Sequence, residues 1–307
     1  MTQNKAKEYQ ISPVTLIHHA ANRDHTYPAG SISAVRSCLE SGAVAVEIDV
    51  LPIADNNFVL LHDLDLSETT NGAGNASPLH RSDFEHMRYK IHGQVTDERI
   101  GFLDEVIDLV TYNDSLEKLQ LDLKPYTTLT PALIHRLLTL LKPILDRVQV
   151  SSVADWAVRA LRYFSPDLSL GFDPLLYLDV IDSEPRPENV PPFRVGAYGL
   201  LDDHPLSAYQ WGSKKDYFAA RADALFAQAV PGCEWFIRAE TLLAAQNCGF
   251  DWIAYLHNRN CKIDAWTLDP QVESIGLAKE LVSLGVDEIT TNDPLGLAAV
   301  MDCQVRM

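Results

Sequence analysis

The sequence predicts an α/β chain folded as a (β/α)8 TIM barrel with a short β-hairpin arm at its mouth, on three observations. Short apolar, β-branched runs recur near residues 14–18, 44–50, 119–124, 148–152, 168–172, 234–238, 263–268 and 286–290. Stretches with helical spacing lie between many of them, the rhythm of strand–helix units around a parallel sheet. Polar residues able to do chemistry gather at or near the carboxyl ends of the first three runs, where barrels keep their active sites.

The first run, Val14-Thr15-Leu16-Ile17, ends at His18-His19. A histidine at a strand end is placed for catalysis, and it also fits a structural role or a transition-metal site. Ser31 to Ser41 then has helical composition and belongs to the outer ring. The second run carries Glu47 and Asp49, two apart and therefore on one face. Ionised carboxylates held close repel unless a proton or cation lies between them, and hard divalent ions prefer oxygen ligands. The alternative is a solvated strand face.

Ala54-Asp55-Asn56-Asn57 is rich in turn formers, and Phe58-Val59-Leu60-Leu61 follows too soon for a parallel crossover. The chain therefore folds back as a hairpin, bringing His62 roughly opposite Asp49. After a helix at Leu103 to Thr111, the third run alternates Gln120, Asp122 and Lys124 on one face and closes at Pro125. Pro131 to Leu145 and Asp155 to Phe164 continue the outer ring.

A connection at about 174–231 is enlarged. It contains the proline-rich Ser183 to Pro192, suited to covering the barrel mouth, and an amphipathic stretch from Lys215 to Ala229. Trp211, Tyr217 and Phe218 could meet a choline-like head group, although Phe218, Ala222, Leu225 and Phe226 recur at helical spacing and fit packing better. Asp203 and His204 are open between a structural and a functional reading.

At 307 residues and 47% hydrophobic content, one domain spanning residues 1–307 buries a sizeable core. No run approaches the ~18 to 20 apolar residues of a membrane span, and the start lacks an apolar signal core, so stable membrane insertion is not expected and a cytoplasmic location is. Five cysteines without Cys-x-x-Cys spacing fit free thiols in a reducing compartment. A net charge of −17 argues against nucleic acid as a partner. Oligomeric state is not encoded legibly.

Together these residues resemble the glycerophosphodiester phosphodiesterase family of the phospholipase-C-like barrel superfamily. His18 stands where that family opens with His-Arg-Gly, Glu47-Ile48-Asp49 matches its Glu-x-Asp, and His62-Asp63 with Thr69-Thr70-Asn71-Gly72 matches its His-Asp and Thr-Thr-Asn-Gly segments. The similarity continues through Phe102 to Val106, Val150-Ser151-Ser152, Ala265-Trp266-Thr267-Leu268 and Gly285 to Pro294.

The resemblance implies hydrolysis of a small glycerophosphodiester to glycerol phosphate and an alcohol. It implies one divalent ion, Mg²⁺ or Ca²⁺, on Glu47, Asp49 and Asp122. His18 and His62 would be the acid–base pair, with His19, Lys124 and Trp266 contacting substrate. The family's Arg after the first histidine is His19 here and its Gly is Ala20. Ala29-Gly30-Ser31 replaces Glu-Asn-Thr after Pro28, and Asp122 replaces a Glu. Asp-Leu-Lys also resembles the sphingomyelinase-D-like phospholipase D toxins, which would form cyclic phosphates. The lost Arg leaves a phosphate-binding barrel without catalysis as a further alternative.

Overall fold

The computed structural model describes residues 13–124, 128–178 and 212–307. Pro125, the segment Ser183 to Pro192, Asp203, His204 and Trp211 fall outside them.

Eight parallel strands close into a barrel: β1 (Val14–His18), β2 (Ala45–Pro52), β3 (Lys118–Leu123), β4 (Val148–Ser152), β5 (Ser169–Phe172), β6 (Glu234–Arg238), β7 (Ile263–Trp266) and β8 (Glu288–Thr291). Each pairs with the next, and β1 pairs with both β8 and β2 to complete the ring. Helices wrap the outside, among them Ile32–Glu40, Leu103–Thr111, Pro131–Leu141, Asp155–Phe164 and Lys214–Gln228.

Paired residues of a parallel ladder face the same side, so the register sorts the barrel interior from its exterior. Glu47 pairs with Gln120, Asp49 with Asp122, Asp122 with Ser151 and Ser151 with Gly171, all on the inner face. Val14, Leu16, Val46, Ile48 and Val50 take the outer face and pack in the apolar layer beneath the helices. The interior is filled with side chains. At Gly171 a Cβ would come within 2.3 Å of the Phe236 ring and 2.9 Å of the Ser151 Cβ, so only glycine leaves room for that ring.

At the amino-terminal end of the barrel, Lys118 bridges Glu234 at 2.9 Å and Glu288 at 2.5 Å, while Gln149 Nε2 donates to Glu234 at 2.9 Å. A cavity of about 260 Å³ opens there, at the face opposite the predicted site. In barrels that face serves stability.

The arm after β2 is larger than a hairpin. Phe58–Val59 pairs antiparallel with Pro52 and Leu51, and a second hairpin, Arg88–Ile91 with Gln94–Arg99, follows. Residues Leu61, Leu64, Phe84, Tyr89 and Phe102 form a separate apolar cluster there. Thr69-Thr70-Asn71-Gly72 is its joint: Thr70 Oγ1 donates to the Leu66 carbonyl at 2.6 Å, Asn71 accepts from Arg88 N at 2.8 Å, and a Cβ on Gly72 would lie 2.9 Å from Met87 Sδ.

Ser31 caps the helix Ile32–Glu40 by accepting from Ala34 N at 3.1 Å, which explains a serine after Ala29-Gly30. In the helix Lys214–Gln228, Tyr217, Phe218, Ala222 and Leu225 are buried, so the packing reading of its aromatics holds. Among the described residues all five cysteines are free, and no helix is long and apolar enough to cross a membrane.

Candidate active site

The register that pairs Asp49 with Asp122, with Glu47 two residues before Asp49, brings three carboxylates together. One oxygen from each lies within 4.8 Å of the others. Lys124 Nζ reaches Asp49 Oδ1 at 2.8 Å and Asp122 Oδ2 at 2.6 Å. Burial and the charges of Asp49 and Asp122 push the Glu47 carboxyl well above its usual pKa. Burial works the same way on Asp49, but the Lys124, His62 and His19 charges outweigh it and hold Asp49 below the usual range. Burial opposes the charge on Lys124, and Asp122 and Asp49 outweigh it, raising its pKa well above that of a free lysine.

The cluster fits a divalent ion. A cation 2.0–2.6 Å from each oxygen requires ligand oxygens no more than about 4 to 5 Å apart. Glu47 Oε1 is buried and has no hydrogen-bond partner among the described residues, an acceptor oxygen aimed at nothing that the protein itself supplies.

Both sequential histidines follow the strand alternation, which gives them different surroundings. His18 pairs with Val46 and shares its outward face. It is fully buried, with Nδ1 3.5 Å from Cys38 Sγ on the helix Ile32–Glu40. Burial, helped by the Arg23 charge, lowers its pKa to about 4. His18 therefore points away from the carboxylates, and it is His19 that turns into the barrel mouth, with Nε2 3.8 Å from Glu47 Oε2. The polar Thr15, two and four residues earlier in phase with Ile17 and His19, was the sequence signal for this parity.

The turn after His19 is strained: Ala20 and Ala21 hold φ of 48° and 51°, a region that costs a non-glycine residue roughly 1–2 kcal/mol. It aims the Ala20 N–H at Glu47 Oε2, 2.7 Å away. His19 Nδ1 lies 2.7 Å from Asn292 Oδ1. Asn292 in turn donates to Asp269 through Nδ2 at 3.0 Å and through its backbone N at 2.8 Å. Since a carboxylate only accepts, Asn292 presents its oxygen to His19, which fixes the proton on Nδ1 and leaves Nε2 facing the carboxylates.

His62 enters from the arm rather than from a barrel strand. Its ring is half exposed, and Nδ1 is 2.7 Å from Asp63 Oδ1. The Lys124 charge disfavours protonation, yet the Asp63 hydrogen bond and the Asp49 and Asp63 charges outweigh it, and the pKa is raised. The sequence placed His62 opposite Asp49, and the two feel each other's charge; the ladder, pairing Leu51 with Val59, ends before reaching it.

Two residues on the far wall were not anticipated. Asp173 follows β5 and accepts from Leu175 N at 2.8 Å; burial, with the Asp122 charge, raises its pKa well above the usual carboxylate value. Arg238 ends β6 and stacks on Trp266 with 4.7 Å between guanidinium carbon and ring centroid. Both sit at strand ends, and that position was the available signal.

A family model described as the glycerophosphoryl diester phosphodiesterase family matches residues 18–175. The chain belongs to that family. Within it, a glycerophosphodiester phosphodiesterase of Bacillus altitudinis is 31% identical over 162 residues, 50% of this chain and 63% of the relative. One from Caldanaerobacter subterraneus is 29% identical over 154 residues, 49% of this chain and 61% of the relative. The matches thus span somewhat under two thirds of those relatives.

The fold extends further than these matches. A phosphodiesterase of Oleispira antarctica, solved with the product sn-glycerol-3-phosphate, covers 95% of this chain and 98% of its own at a TM-score of 0.65 and 19% identity. A glycerophosphodiester phosphodiesterase of Parabacteroides distasonis covers 94% and 96% at a TM-score of 0.67 and 16% identity. The family likeness thus extends, as a fold, around the whole barrel.

Proposed function

We propose that this family member hydrolyses a small glycerophosphodiester to glycerol phosphate and an alcohol, with His19 and His62 as the proton-transfer pair. The reading is carried by one arrangement: two imidazoles from different segments converge on Glu47, Asp49 and Asp122, beside Lys124.

Glu47, Asp49 and Asp122 would hold one divalent ion, Mg²⁺ or Ca²⁺, which when bound supplies positive charge against a non-bridging phosphoryl oxygen. Lys124 holds Asp49 below the usual carboxylate range, pairs with Asp122 at 2.6 Å and adds charge complementary to the phosphoryl group. His19, protonated on Nδ1 by its contact with Asn292, has Nε2 available to take the proton from the attacking water or substrate hydroxyl. The protonated form of His62, favoured by Asp63, delivers a proton to the departing alkoxide. Proton transfer of this sort contributes about 10²–10⁴-fold each. Trp266 forms part of the pocket wall, and the free cysteines fit a reducing, cytoplasmic setting.

The test is a panel of glycerophosphodiesters and lysophospholipids incubated with Mg²⁺ or Ca²⁺, then with excess chelator, and followed by phosphorus NMR. Chelator-sensitive release of glycerol phosphate is expected. A cyclic phosphate from the lysolipids would move the assignment to the sphingomyelinase-D-like chemistry that Asp122-Leu123-Lys124 resembles. Absence of product from every substrate would reject hydrolysis of these diesters.

A further inference from the structure

Eight-stranded barrels fill their interior in layers of four side chains, each layer drawn from alternate strands. Following the register around the ring assigns the layer at the candidate site. Asp122 on β3 pairs with Ser151, and Ser151 with Gly171 on β5; the next inward position of β5 is Asp173. The ladder still holds there, since Asp173 N donates to the Ser152 carbonyl at 3.1 Å. Gly171 pairs with Glu234, which sets Asp173 level with Phe236, and Phe236 pairs with Asp264, two residues before Trp266 on β7. Asp264 pairs with Glu288, which sets Trp266 level with Thr290, and Thr290 pairs with Ile17, two residues before His19 on β1. His19, Asp122, Asp173 and Trp266 therefore ring one level of the mouth, with Asp173 across from His19 and Trp266 across from Asp122.

Asp173 is the open group of the four. Its Oδ1 accepts from Leu175 N at 2.8 Å and caps the turn Pro174–Leu176. Its other oxygen, Oδ2, has no hydrogen-bond partner among the described residues, and the side chain is half-buried rather than sealed in the core. The cation site does not claim it, because the carboxylates that converge within 4.8 Å are Glu47, Asp49 and Asp122. A quaternary ammonium is a poor fit beside Asp173, since the Arg238 guanidinium already covers the Trp266 ring at 4.7 Å and would meet such a group with like charge. A hydroxyl fits, because it can donate to the free oxygen.

We infer that Asp173 is the specificity residue for the polyol: its free oxygen binds a hydroxyl of the glycerol moiety, on the wall facing His19, while the phosphoryl group lies beside Glu47, Asp49 and Asp122. This rests on the phosphodiesterase reading for its substrate. A hydrogen bond of this kind changes affinity by about 10-fold when one partner is removed. It discriminates against a ligand that lacks the hydroxyl, which leaves the carboxyl oxygen unpaired.

The experiment is titration calorimetry of sn-glycerol 3-phosphate, n-propyl phosphate and inorganic phosphate into the full chain with Mg²⁺ or Ca²⁺ present, for wild type, Asp173→Ser and Asp173→Asn. Serine keeps an oxygen to cap the turn at Leu175 but removes the second oxygen, and asparagine keeps both hydrogen-bonding groups. Wild type should bind sn-glycerol 3-phosphate about 10-fold more tightly than propyl phosphate. Asp173→Ser should erase that preference while binding inorganic phosphate no more weakly than wild type, and Asp173→Asn should retain most of it. No preference in wild type, an undiminished preference in Asp173→Ser, an equal loss for all three ligands, or no binding of any of them would each overturn the inference. If Asp173→Ser does not fold, the wild-type preference and its survival in Asp173→Asn decide, and equal affinity for glycerol and propyl phosphates would sink the idea. An Asp173-dependent preference without turnover of any diester would instead defeat the hydrolase reading and leave this one standing.

Discussion

His19 and Asn292 meet at 2.7 Å between Nδ1 and Oδ1, and Asn292 is clamped by Asp269 on its other side. Three chain segments thus fix which imidazole nitrogen faces the carboxylates. Asn292→Ala should lower kcat by about 10- to 100-fold, less than the roughly 10²–10⁴-fold expected for His19→Ala. The thermal midpoint should stay near wild type, because Asn292 supplies orientation to an exposed mouth rather than core packing. Steady-state kinetics beside a melting curve checks this; an unchanged kcat would remove Asn292 from the relay.

The two adjacent histidines should separate cleanly. His18→Leu is expected to retain turnover, whereas His19→Ala and His62→Ala lose it. The buried His18 also predicts a pH effect on stability. Its folded pKa, about 4 against 6.5, means that the unfolded chain binds the proton more tightly. Stability is fully present above about pH 6.5 and is lost as pH falls toward 4, by about 3 kcal/mol at most. Urea unfolding across that window should be flatter in His18→Leu.

Glu288 predicts the opposite slope. Burial raises its pKa to about 7, and the nearby Glu234 outweighs part of the relief from Lys118. A carboxyl that holds its proton more tightly when folded stabilises below about pH 4.5, and that contribution is lost as pH rises through 7. Glu288→Gln should remove this decline in unfolding free energy between pH 5 and 8.

Removing the cation of that same cluster should cost more. Lys118→Met leaves Glu234 without its ion pair in the barrel interior, and breaking a buried pair of this kind costs about 3–5 kcal/mol. Denaturant titration at pH 7 measures it. A loss below about 1 kcal/mol would mean that the carboxyls accept protons without strain.

Metal addition should be visible without catalysis. Mg²⁺ or Ca²⁺ at one hundred times its dissociation constant should stabilise the fold by about 2.7 kcal/mol, and chelator should reverse this. Glu47→Gln should lose the shift while melting in chelator no lower than wild type, because Glu47 without a cation is a buried carboxyl crowded by Asp49 and Asp122.

Barrel strands were legible because their apolar runs are short and their spacing regular; side-chain alternation put Glu47 with Asp49 and Asp122 with Lys124, and the family resemblance joined the two sets. The choice between His18 and His19 did not, since a strand end gives no register until its neighbours are placed. Thr15 held the clue, but one polar residue in four is weak. Asp269, Asn292 and Arg238 come from strands whose position around the ring only closure defines. The arm exceeded expectation because its second hairpin, Arg88–Arg99, is largely polar, with apolar alternation confined to Arg88-Tyr89-Lys90-Ile91.

Because His62 rides on that arm, with an apolar cluster of its own, the two histidines proposed to carry protons belong to bodies held together by different cores. Loosening the arm would disarm the site while leaving the eight-strand ring closed. Activity and barrel integrity are therefore separable: mild denaturant, or a cavity at Phe84, should abolish turnover before the amides of β3 and β4 begin to exchange.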